Sequence, residues 1–482
     1  MLSVSETLAE ALERHRAGRL AEAQAMYNEI LRRDPDNADA LHMLGVAAAQ
    51  GGQPEVALRH IARAISLNPA PAFYHNNLGN VFHGLNRFTE ALLCYEEALR
   101  LDPEYAEAHN NVANTLTQLG RHQEALPHHL EAVRLKPESG AAYDSLGATL
   151  RAEGLYQEAL ACYEEALRLD PGDAEAHAGR AFIWLLLGDY QRGWLEYEWR
   201  WKARGFADRA VEGPLWDGSP ARGERILLHA EQGLGDTIQF IRYVPMVKES
   251  GATVLVQCQP RLAALVQMIP EIDEVIAAGS PLPYFDAHLP LLSLPRVFKT
   301  TLETAPRIVP YLKVPAQKVE EWRARLWHDG RPKVGLVWAG RPEYENDRDR
   351  SLAQSDLALL AQVRSVRFFS LQRPVRDDAG AWPEGFDIQN LEDASSEITD
   401  TAAAILNLDL VISVDTMVAH LAGALGTPVW TLLPFEADWR WLLNREDSPW
   451  YPTMRLFRQP APGEWGPVIE RVAEALQHVV CQ

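Results

Sequence analysis

The chain has 482 residues, of which 47% are hydrophobic and 23% charged, which is enough for more than one domain with an ordinary core. A formal net charge of -20 argues against a nucleic-acid partner, because phosphate backbones are bound by clustered basic surfaces. The four cysteines form no CxxC pair, so neither a disulfide framework nor a zinc site is expected. Because neither a signal peptide nor a membrane-spanning run is visible, the sequence predicts a soluble, cytoplasmic protein.

Residues 1–200 repeat with a period of 34 residues. The most regular markers are five prolines, Pro35, Pro69, Pro103, Pro137 and Pro171. A second set occupies the expected left-handed turns between paired helices, namely Gly18, Gly52, Asn86, Gly120, Gly154 and Gly188. A helix-turn-helix unit of this length with a closing proline resembles the tetratricopeptide repeat. Five copies are clear and a sixth is divergent, which predicts an α-solenoid with a long concave surface.

Four asparagines keep the same period in the two middle repeats. Asn77 and Asn111 occupy one position, and Asn80 and Asn114 follow one helical turn later. Asparagine offers both a donor and an acceptor, which suits an extended peptide backbone. The row resembles the asparagine ladder of the O-linked N-acetylglucosamine transferase superhelix, and it predicts a peptide-binding surface. The alternative is a solvated polar face without a ligand.

The segment after the repeats is rich in tryptophan and tyrosine. Because an exposed aromatic patch of this size is a liability, it predicts a capping helix that is buried against a neighbouring domain. The prolines of PLWDGSP, residues 214–220, then break the helical pattern. Residues 201–224 are therefore predicted to be a connector that packs on the second half of the chain.

From residue 225 onwards, apolar runs typical of strands alternate with helical stretches, which predicts parallel sheets. Residues 225–315 contain the runs RILLH, TVLVQC, EVIAA and AHLPLLSL. Residues 316–482 contain KVGLVWAG, RFFSLQ, LDLVISVD and PVWTLL. We expect an α/β region of two Rossmann-like halves, similar to the double-Rossmann arrangement of nucleotide-sugar transferases. A C-terminal helix from about Pro467 is expected to cross back onto the first half.

Two loops stand where a predicted strand turns into a helix. The first is EQGLGDTIQF, residues 231–240, with a helix expected to open at Asp236, and the second is SVDTMVAH, residues 413–420. Open α/β sheets bind ligands at the carboxyl ends of their strands. The two loops therefore predict two sheets that face a shared cleft.

The sequence lacks several common catalytic motifs. The sequence has no GxGxxG fingerprint, no Walker A loop, no GxSxG elbow and no HExxH zinc motif. Asp347, Arg348 and Asp349 form a DxD, but it lies in a loop of mixed charge, and no metal site is expected there. A nucleotide-sugar site built from helix N-termini remains.

The two loops also carry a resemblance to a known family. GDTIQFIRYVP and VISVDTMVAHLAGALGTPVWTLLP resemble the two signatures of the bacterial heptosyltransferase-like glycosyltransferases, which have the GT-B fold. The whole chain looks like bacterial proteins in which tetratricopeptide repeats precede such a domain. The resemblance implies that Asp236 is the general base and that Asp415, Thr416 and His420 bind the donor diphosphate. Met417 stands where the family has glycine, a residue that allows close backbone approach to phosphate.

The residues themselves allow these roles and leave alternatives open. Asp236 is either the base for an acceptor hydroxyl or the cap of its helix, or both. The helix after Asp415 offers amide groups to a diphosphate, and His420 either faces that anion or packs in the helix. Arg350 is expected to bind a phosphate directly, with a surface ion pair to Asp347 or Asp349 as the alternative.

Further contacts are assigned more broadly. Three residues of the first loop are candidates for acceptor or sugar contacts, namely Glu231, Gln232 and Gly235. The aromatics of DWRW and SPWYP either stack on a base or sugar or belong to the core; they are Trp439, Trp441, Trp450 and Tyr451.

The sequence thus predicts an inverting, metal-independent glycosyltransferase that needs no cofactor. It would move a sugar from a nucleotide-diphosphate sugar to an acceptor hydroxyl, most simply Ser or Thr of a surface or flagellar protein that the repeats recruit. One alternative is a repeat scaffold with an inactive or sugar-nucleotide-sensing transferase domain. Another is a glycan-directed enzyme like the heptosyltransferases.

Overall fold

The computed structural model describes residues 3–203, 211–326, 329–342, 347–373, 382–391 and 397–479. The chain divides into two compact units, Met1–Arg180 and Ala181–Gln482, which we call the repeat unit and the sheet unit. Among the helices of the described ranges, we find none with the length and hydrophobicity that a bilayer crossing requires.

The repeat unit is a series of helices that alternate between 13 and 14 residues, and consecutive helices pack against each other. They are α1 (Val4–Arg16), α2 (Leu20–Arg33), α3 (Ala38–Gln50), α4 (Pro54–Leu67), α5 (Ala72–Gly84), α6 (Phe88–Leu101), α7 (Ala106–Gln118), α8 (His122–Leu135), α9 (Gly140–Ala152) and α10 (Tyr156–Leu169). Helix α11 (Ala174–Leu186) starts in this unit and ends in the sheet unit. The predicted solenoid is confirmed.

Small residues explain how closely these helices approach. A Cβ atom on Gly79 of α5 would lie 2.5 Å from the ring of Tyr95 on α6. The turn positions behave as predicted, because Asn86 has a φ of 58° and the glycines that share its place in the repeat also have positive φ. A left-handed residue with little steric cost therefore closes each pair.

The sheet unit opens with α12 (Tyr190–Glu196) and the 3-10 helix Tyr197–Lys202, and two parallel sheets follow. The first sheet has the order β3-β2-β1-β4. Its elements are β1 (Arg225–His229), α13 (Leu234–Phe240), α14 (Val244–Glu249), β2 (Thr253–Cys258), α15 (Ala263–Val266), β3 (Glu274–Ala277), β4 (Ala287–Pro290) and α16 (Leu294–Val297).

The second sheet has six strands in the order β10-β9-β8-β5-β6-β7. Its elements are α17 (Ala316–Arg325), β5 (Lys333–Val337), α18 (Asp347–Arg350), β6 (Arg367–Ser370), β7 (Ile388–Asn390), α19 (Ile398–Ile405), β8 (Leu410–Val414), α20 (Met417–Leu425), β9 (Val429–Leu433), β10 (Met454–Arg458) and α21 (Gly466–Val479). The register runs Val334↔Leu410 between the central strands and Val411↔Val429 beyond them. The predicted parallel α/β region is therefore confirmed.

Three details differ from the sequence prediction. The run AHLPLLSL is a strand only as far as Pro290, because the chain then turns into a 3-10 helix, Leu291–Ser293. Strands β7 and β10 were not predicted. Helix α21 does not cross back to the first sheet: its apolar face, with Val468 and Val472, packs in the core of the second sheet.

Candidate functional site

The two predicted loops follow strands at the points where the strand order of each sheet reverses. In the first sheet, β1 pairs with β2 on one side and with β4 on the other. In the second sheet, β5 pairs with β6 and with β8 in the same way. Ligands of open α/β sheets bind outside the carboxyl ends of strands at such reversals. The loops after β1 and β8 therefore occupy the two positions that this rule selects.

Helix α13 begins at Leu234, two residues before the predicted start. Its N-cap is Gly233, and Asp236 stands in the first turn, where its Oδ2 accepts a hydrogen bond from the Gly233 backbone N–H at 2.7 Å. Asp236 thus caps its helix from inside rather than at the N-cap position. Its side chain remains 19% exposed, and its Oδ1 is bonded by another group.

The second loop forms the N-terminus of α20. Thr416 is the N-cap, and its Oγ1 accepts from the Val418 N–H at 3.3 Å and lies 2.9 Å from the Ser413 hydroxyl. Met417 is the first residue of this helix and does not have a positive φ, so the absence of glycine there causes no backbone strain. Its side chain is half-buried.

Residues of one short turn donate hydrogen bonds to the acidic side chains of both loops. This turn, the 3-10 helix Trp439–Trp441, follows Asp438. Arg440 donates from Nη2 to Asp236 Oδ1 at 2.5 Å, and the indole Nε1 of Trp441 donates to Asp415 Oδ2 at 2.7 Å. The structure therefore brings Asp236 and Asp415 to a common place.

Arg440 and Asp438 were not predicted as site residues. The sequence analysis considered DWRW for its aromatic rings alone, although an arginine between two aromatics beside an acid is a signal for a buried ion pair. The rings are in the core as the alternative had it, since Trp439, Trp441, Trp450 and Tyr451 are each at most 2% exposed. Of these rings, Trp441 donates to Asp415 through its indole N–H.

Burial dominates the proton affinities of these acids. It raises the pKa of Asp236, while the nearby Arg440 guanidinium opposes this shift and the Asp438 carboxylate reinforces it. Burial also raises the pKa of Asp415, again with a contribution from Asp438. A carboxylate with a raised pKa accepts a proton more readily, which is the property that a general base needs.

His420 has a packing role. Its Nδ1 lies 2.9 Å from the Tyr451 hydroxyl, while its Nε2 is 3.9 Å from Asp415 Oδ1, too far for a hydrogen bond. Burial lowers the pKa of His420 far below its usual value, so the ring is neutral at pH 7. A Cβ atom on Gly235 would lie 2.8 Å from His420 Cδ2, so Gly235 permits the close approach of α13 and α20.

Arg350 lies beside the second loop and close to Asp347, the alternative partner, while its contact with a phosphate stays a prediction. Its Nη1 donates to the Asp415 carbonyl oxygen at 3.3 Å, and its Nε is 3.5 Å from Asp347 Oδ1. The side chain is 20% exposed. Arg350 is therefore close enough to the N-terminus of α20 to act on a ligand there.

The structure contradicts the prediction that Glu231 contacts a substrate. Its side chain is 0% exposed and forms a two-bond ion pair with Arg200, at 2.9 and 3.1 Å. It also accepts from the Leu292 N–H at 3.2 Å. Glu231 instead fixes the segment of Arg200 to the first sheet. Gln232 is half-buried, and its amide donates to the Tyr197 hydroxyl at 3.1 Å.

In the repeat unit, three of the four asparagines form a connected row. Asn80 Nδ2 lies 3.5 Å from Asn77 Oδ1, and Asn111 donates to Asn80 Oδ1 at 3.1 Å. Tyr95 also donates to Asn80 Oδ1 at 2.9 Å. Asn114 is half-buried on α7, the helix that also carries Asn111. The predicted stacking is present, and its binding of a peptide stays a prediction.

Comparisons with known proteins bear on the repeats. Residues 8–72 and 104–172 match family descriptions named Tetratricopeptide repeat, and residues 79–120 match one named TPR repeat. Among solved structures, pilF of Pseudomonas aeruginosa is 19% identical with a TM-score of 0.38, covering 43% of this chain and 96% of its own. A thermophilic TPR protein of Thermus thermophilus is 22% identical with a TM-score of 0.34, covering 38% of this chain and 100% of its own.

One relative extends further. Protein FlbA of Caulobacter vibrioides is 30% identical over 331 residues, which cover 62% of this chain and 54% of FlbA. The chain therefore spans about half the length of this relative. Since 62% of 482 residues exceeds the length of the repeat unit, the similarity includes part of the sheet unit. The chain carries an array of tetratricopeptide repeats followed by a unit of two parallel sheets.

Proposed function

We propose that this protein is an inverting glycosyltransferase that moves a sugar from a nucleotide-diphosphate sugar to an acceptor hydroxyl. The observation that carries the proposal is the meeting of Asp236 with the N-terminus of α20 at the turn Trp439–Trp441. Glycosyl transfer requires a base on one side of the anomeric carbon and a stabilised leaving diphosphate on the other. The two loops supply one group of each kind.

The base would be Asp236. Its carboxylate takes the proton of the acceptor hydroxyl as the hydroxyl oxygen forms a bond to the anomeric carbon of the donor sugar. The bond from that carbon to the diphosphate oxygen breaks, and the nucleoside diphosphate leaves with the electron pair. The raised pKa of Asp236 and its partly exposed side chain both suit this step.

The leaving diphosphate would be bound by the second loop. The positive end of the α20 dipole lies at this N-terminus, where the Val418 and Ala419 N–H groups are bonded to the Thr416 hydroxyl and carbonyl oxygens. Thr416 adds a hydroxyl, and Arg350, whose guanidinium is 3.3 Å from the Asp415 carbonyl, adds a full positive charge. Asp415, held by Trp441, would orient the loop rather than meet phosphate.

The acceptor in this proposal is a Ser or Thr hydroxyl of a protein bound by the repeats. The support is the row of Asn77, Asn80 and Asn111, whose amide groups are of the type that grips a peptide backbone. Replacing Asn77 and Asn111 together by alanine should weaken the binding of a protein acceptor without affecting the binding of the donor. A glycan acceptor, as in heptosyltransferases, would be insensitive to this change.

The experiment is to compare Asp236→Asn with the unmodified protein in the release of nucleoside diphosphate from a panel of sugar nucleotides. We expect a loss of about 100-fold to 10,000-fold, typical of removing a general base. Donor binding, measured as the rise in melting temperature with the sugar nucleotide, should persist. Asp447→Asn, on an exposed pair with Arg445, is the matched control. Undiminished turnover in Asp236→Asn would refute the assignment.

A second candidate is a repeat scaffold whose sheet unit binds or senses a sugar nucleotide without turning it over. It is favoured by the family matches at residues 8–72, 79–120 and 104–172, which identify the repeats. If sugar nucleotides raise the melting temperature but no nucleoside diphosphate is released with any acceptor, this candidate replaces the first. If none of them binds, both lose their basis.

A further inference from the structure

Arg440 connects the candidate base to the second sheet by an unusual number of bonds. Its Nη2 donates to Asp236 at 2.5 Å, its Nη1 to both oxygens of Asp438 at 2.8 and 3.0 Å, and its Nε to Gln239 Oε1 at 2.8 Å. Its guanidinium carbon lies 4.2 Å from the centre of the Trp439 ring. The side chain is only 7% exposed. The guanidinium is therefore held in one orientation.

The turn that carries Arg440 is itself held rigidly. The Asp438 carboxylate accepts from the Arg440 backbone N–H at 2.9 Å, and Arg458 donates to the Trp441 carbonyl at 2.6 Å. The following residue, Leu442, has a φ of 54°, a conformation that costs energy for a side chain of its size. Such strain persists only where surrounding contacts outweigh it.

Asp236 needs a counter-ion to serve as a base. A carboxylate buried without a cation takes up a proton and then has no capacity to accept another. The titratable groups that face Asp236 are Arg440 and Asp438 of the turn, Tyr197 of the 3-10 helix Tyr197–Lys202, and His420 across Gly235. Burial keeps Tyr197 and His420 neutral, since it raises the pKa of the first and lowers that of the second.

We propose that Arg440 is the positioning residue that keeps Asp236 ionised and aims its carboxylate at the acceptor hydroxyl. This inference rests on the proposed transferase function. Gly233 fixes Oδ2 and Arg440 fixes Oδ1, so the carboxylate has one orientation, and each oxygen keeps a lone pair for the incoming proton. Asp438 sets how strongly Arg440 stabilises the ionised form of Asp236, because its carboxylate binds the same guanidinium.

The first test is the pH dependence of kcat/KM for sugar-nucleotide turnover in Arg440→Gln and Arg440→Lys. Without the cation, Asp236 stays protonated to higher pH, so the acidic limb of the profile should move upward by at least one pH unit in Arg440→Gln. Arg440→Lys should move it less, because a charge remains. Arg455→Gln, on an exposed pair with Glu446, should leave the profile in place. A uniform loss at every pH would overturn the proposal.

The second test separates this inference from the proposed function, because it needs no activity. Removing Arg440 leaves an ionised Asp236 buried without its partner at high pH, whereas protonation at low pH relieves this penalty. The melting temperature of Arg440→Gln should therefore fall more at pH 8 than at pH 5, and less in the Asp236→Asn background. An equal fall at both pH values and in both backgrounds would overturn the pairing even in an inactive protein. If no sugar nucleotide is turned over but the melting temperatures change as expected, only the proposed transferase function is overturned.

Discussion

In the repeat unit the ion pairs Arg100–Glu97, Arg134–Glu131 and Arg168–Glu165 each join residues three apart on one helix and remain largely exposed. In the sheet unit the guanidinium groups of Arg200 and Arg440 are buried, and each has one partner far away in sequence, 31 residues for Glu231 and 204 for Asp236, besides a nearby acid, Glu198 or Asp438. The first kind of pair is local and repeats with the helices. The second kind decides which segments meet.

This difference has consequences for function. Exposed pairs are screened by water and contribute little, so the repeat unit can change them without changing its fold. A buried pair costs desolvation, and breaking it leaves an uncompensated charge. In the sheet unit the same burial that makes Arg440 and Arg200 costly also shifts the pKa of Asp236 and Glu231 upward. Burial therefore raises the pKa of these carboxylates, whereas in the exposed pairs the arginine hydrogen bond lowers the pKa of Glu97, Glu131 and Glu165.

The largest expected effect comes from breaking such a pair. Glu231→Gln removes the negative charge that faces Arg200 and leaves the guanidinium buried with Glu198 as its remaining carboxylate. We expect the free energy of unfolding to fall by about 3 kcal/mol, the scale of a broken buried ion pair. Urea unfolding followed by tryptophan fluorescence measures it.

The matched control is Glu131→Gln in the repeat unit, which breaks the exposed pair with Arg134. Its midpoint in urea should equal that of the unmodified protein within error. Equal losses of unfolding free energy in the two variants would show that burial does not determine how much an ion pair contributes to stability.

An intermediate effect is expected from a histidine inside the repeats. His129 is fully buried at a position that other repeats fill with Tyr27, Ile61, Tyr95 or Tyr163, and within the described residues its ring nitrogens have no hydrogen-bond partner. Burial lowers the pKa of His129 to about 4. Because the unfolded chain then binds more protons than the folded one, its contribution is present above pH 6.5 and is lost as the pH falls toward 4.

The repeats suggest a variant that removes this dependence. Where Tyr95 faces Gly79, the corresponding residue opposite His129 is Ala113. Ala113→Gly with His129→Tyr copies the neighbouring pair, and Asn114 stands where Asn80 receives the Tyr95 hydroxyl. Between pH 7 and pH 5 the double variant should lose about 2 kcal/mol less stability than the Ala113→Gly control. An identical loss would mean that His129 does not titrate in this range.

The 34-residue period made the repeat unit predictable, because each helix pair repeats the same local contacts, down to Asn86 replacing glycine in a left-handed turn. The central strands β1, β2, β8 and β9 were also predictable as apolar runs with glycine or proline nearby. The edge strands β7 and β10 were missed because arginine and polar residues interrupt them: β10 reads MRLFR and β7 reads IQN. Such edges derive their structure from pairing rather than composition.

The site was only half visible for the same reason. Asp236, Asp415 and Thr416 follow strands, and their place in the sheets could be deduced from pattern. Glu231 stands in the same loop and is equally polar, yet its partner Arg200 lies in a different segment and buries it completely. Arg440 was hidden because its bond to Asp236 joins two sheets. Sequence patterns therefore predict which residues follow strands, but they do not predict contacts between residues that lie far apart in the chain.

The smallest expected effect on stability comes from removing a helix cap. It tests whether the Thr416 side chain only stabilises α20 or also binds the diphosphate. Thr416 caps α20 as Ser139 caps α9, where its Oγ accepts from the Ala142 N–H at 3.3 Å. Thr416→Ala and Ser139→Ala should each cost about 1 kcal/mol, and Thr416→Ser should restore the loss. If α20 receives the diphosphate, only Thr416→Ala also weakens nucleoside diphosphate binding in a titration calorimeter. Unchanged binding in that variant would make Thr416 a structural cap like Ser139, and the leaving group would then depend on Arg350 and the dipole of α20 alone.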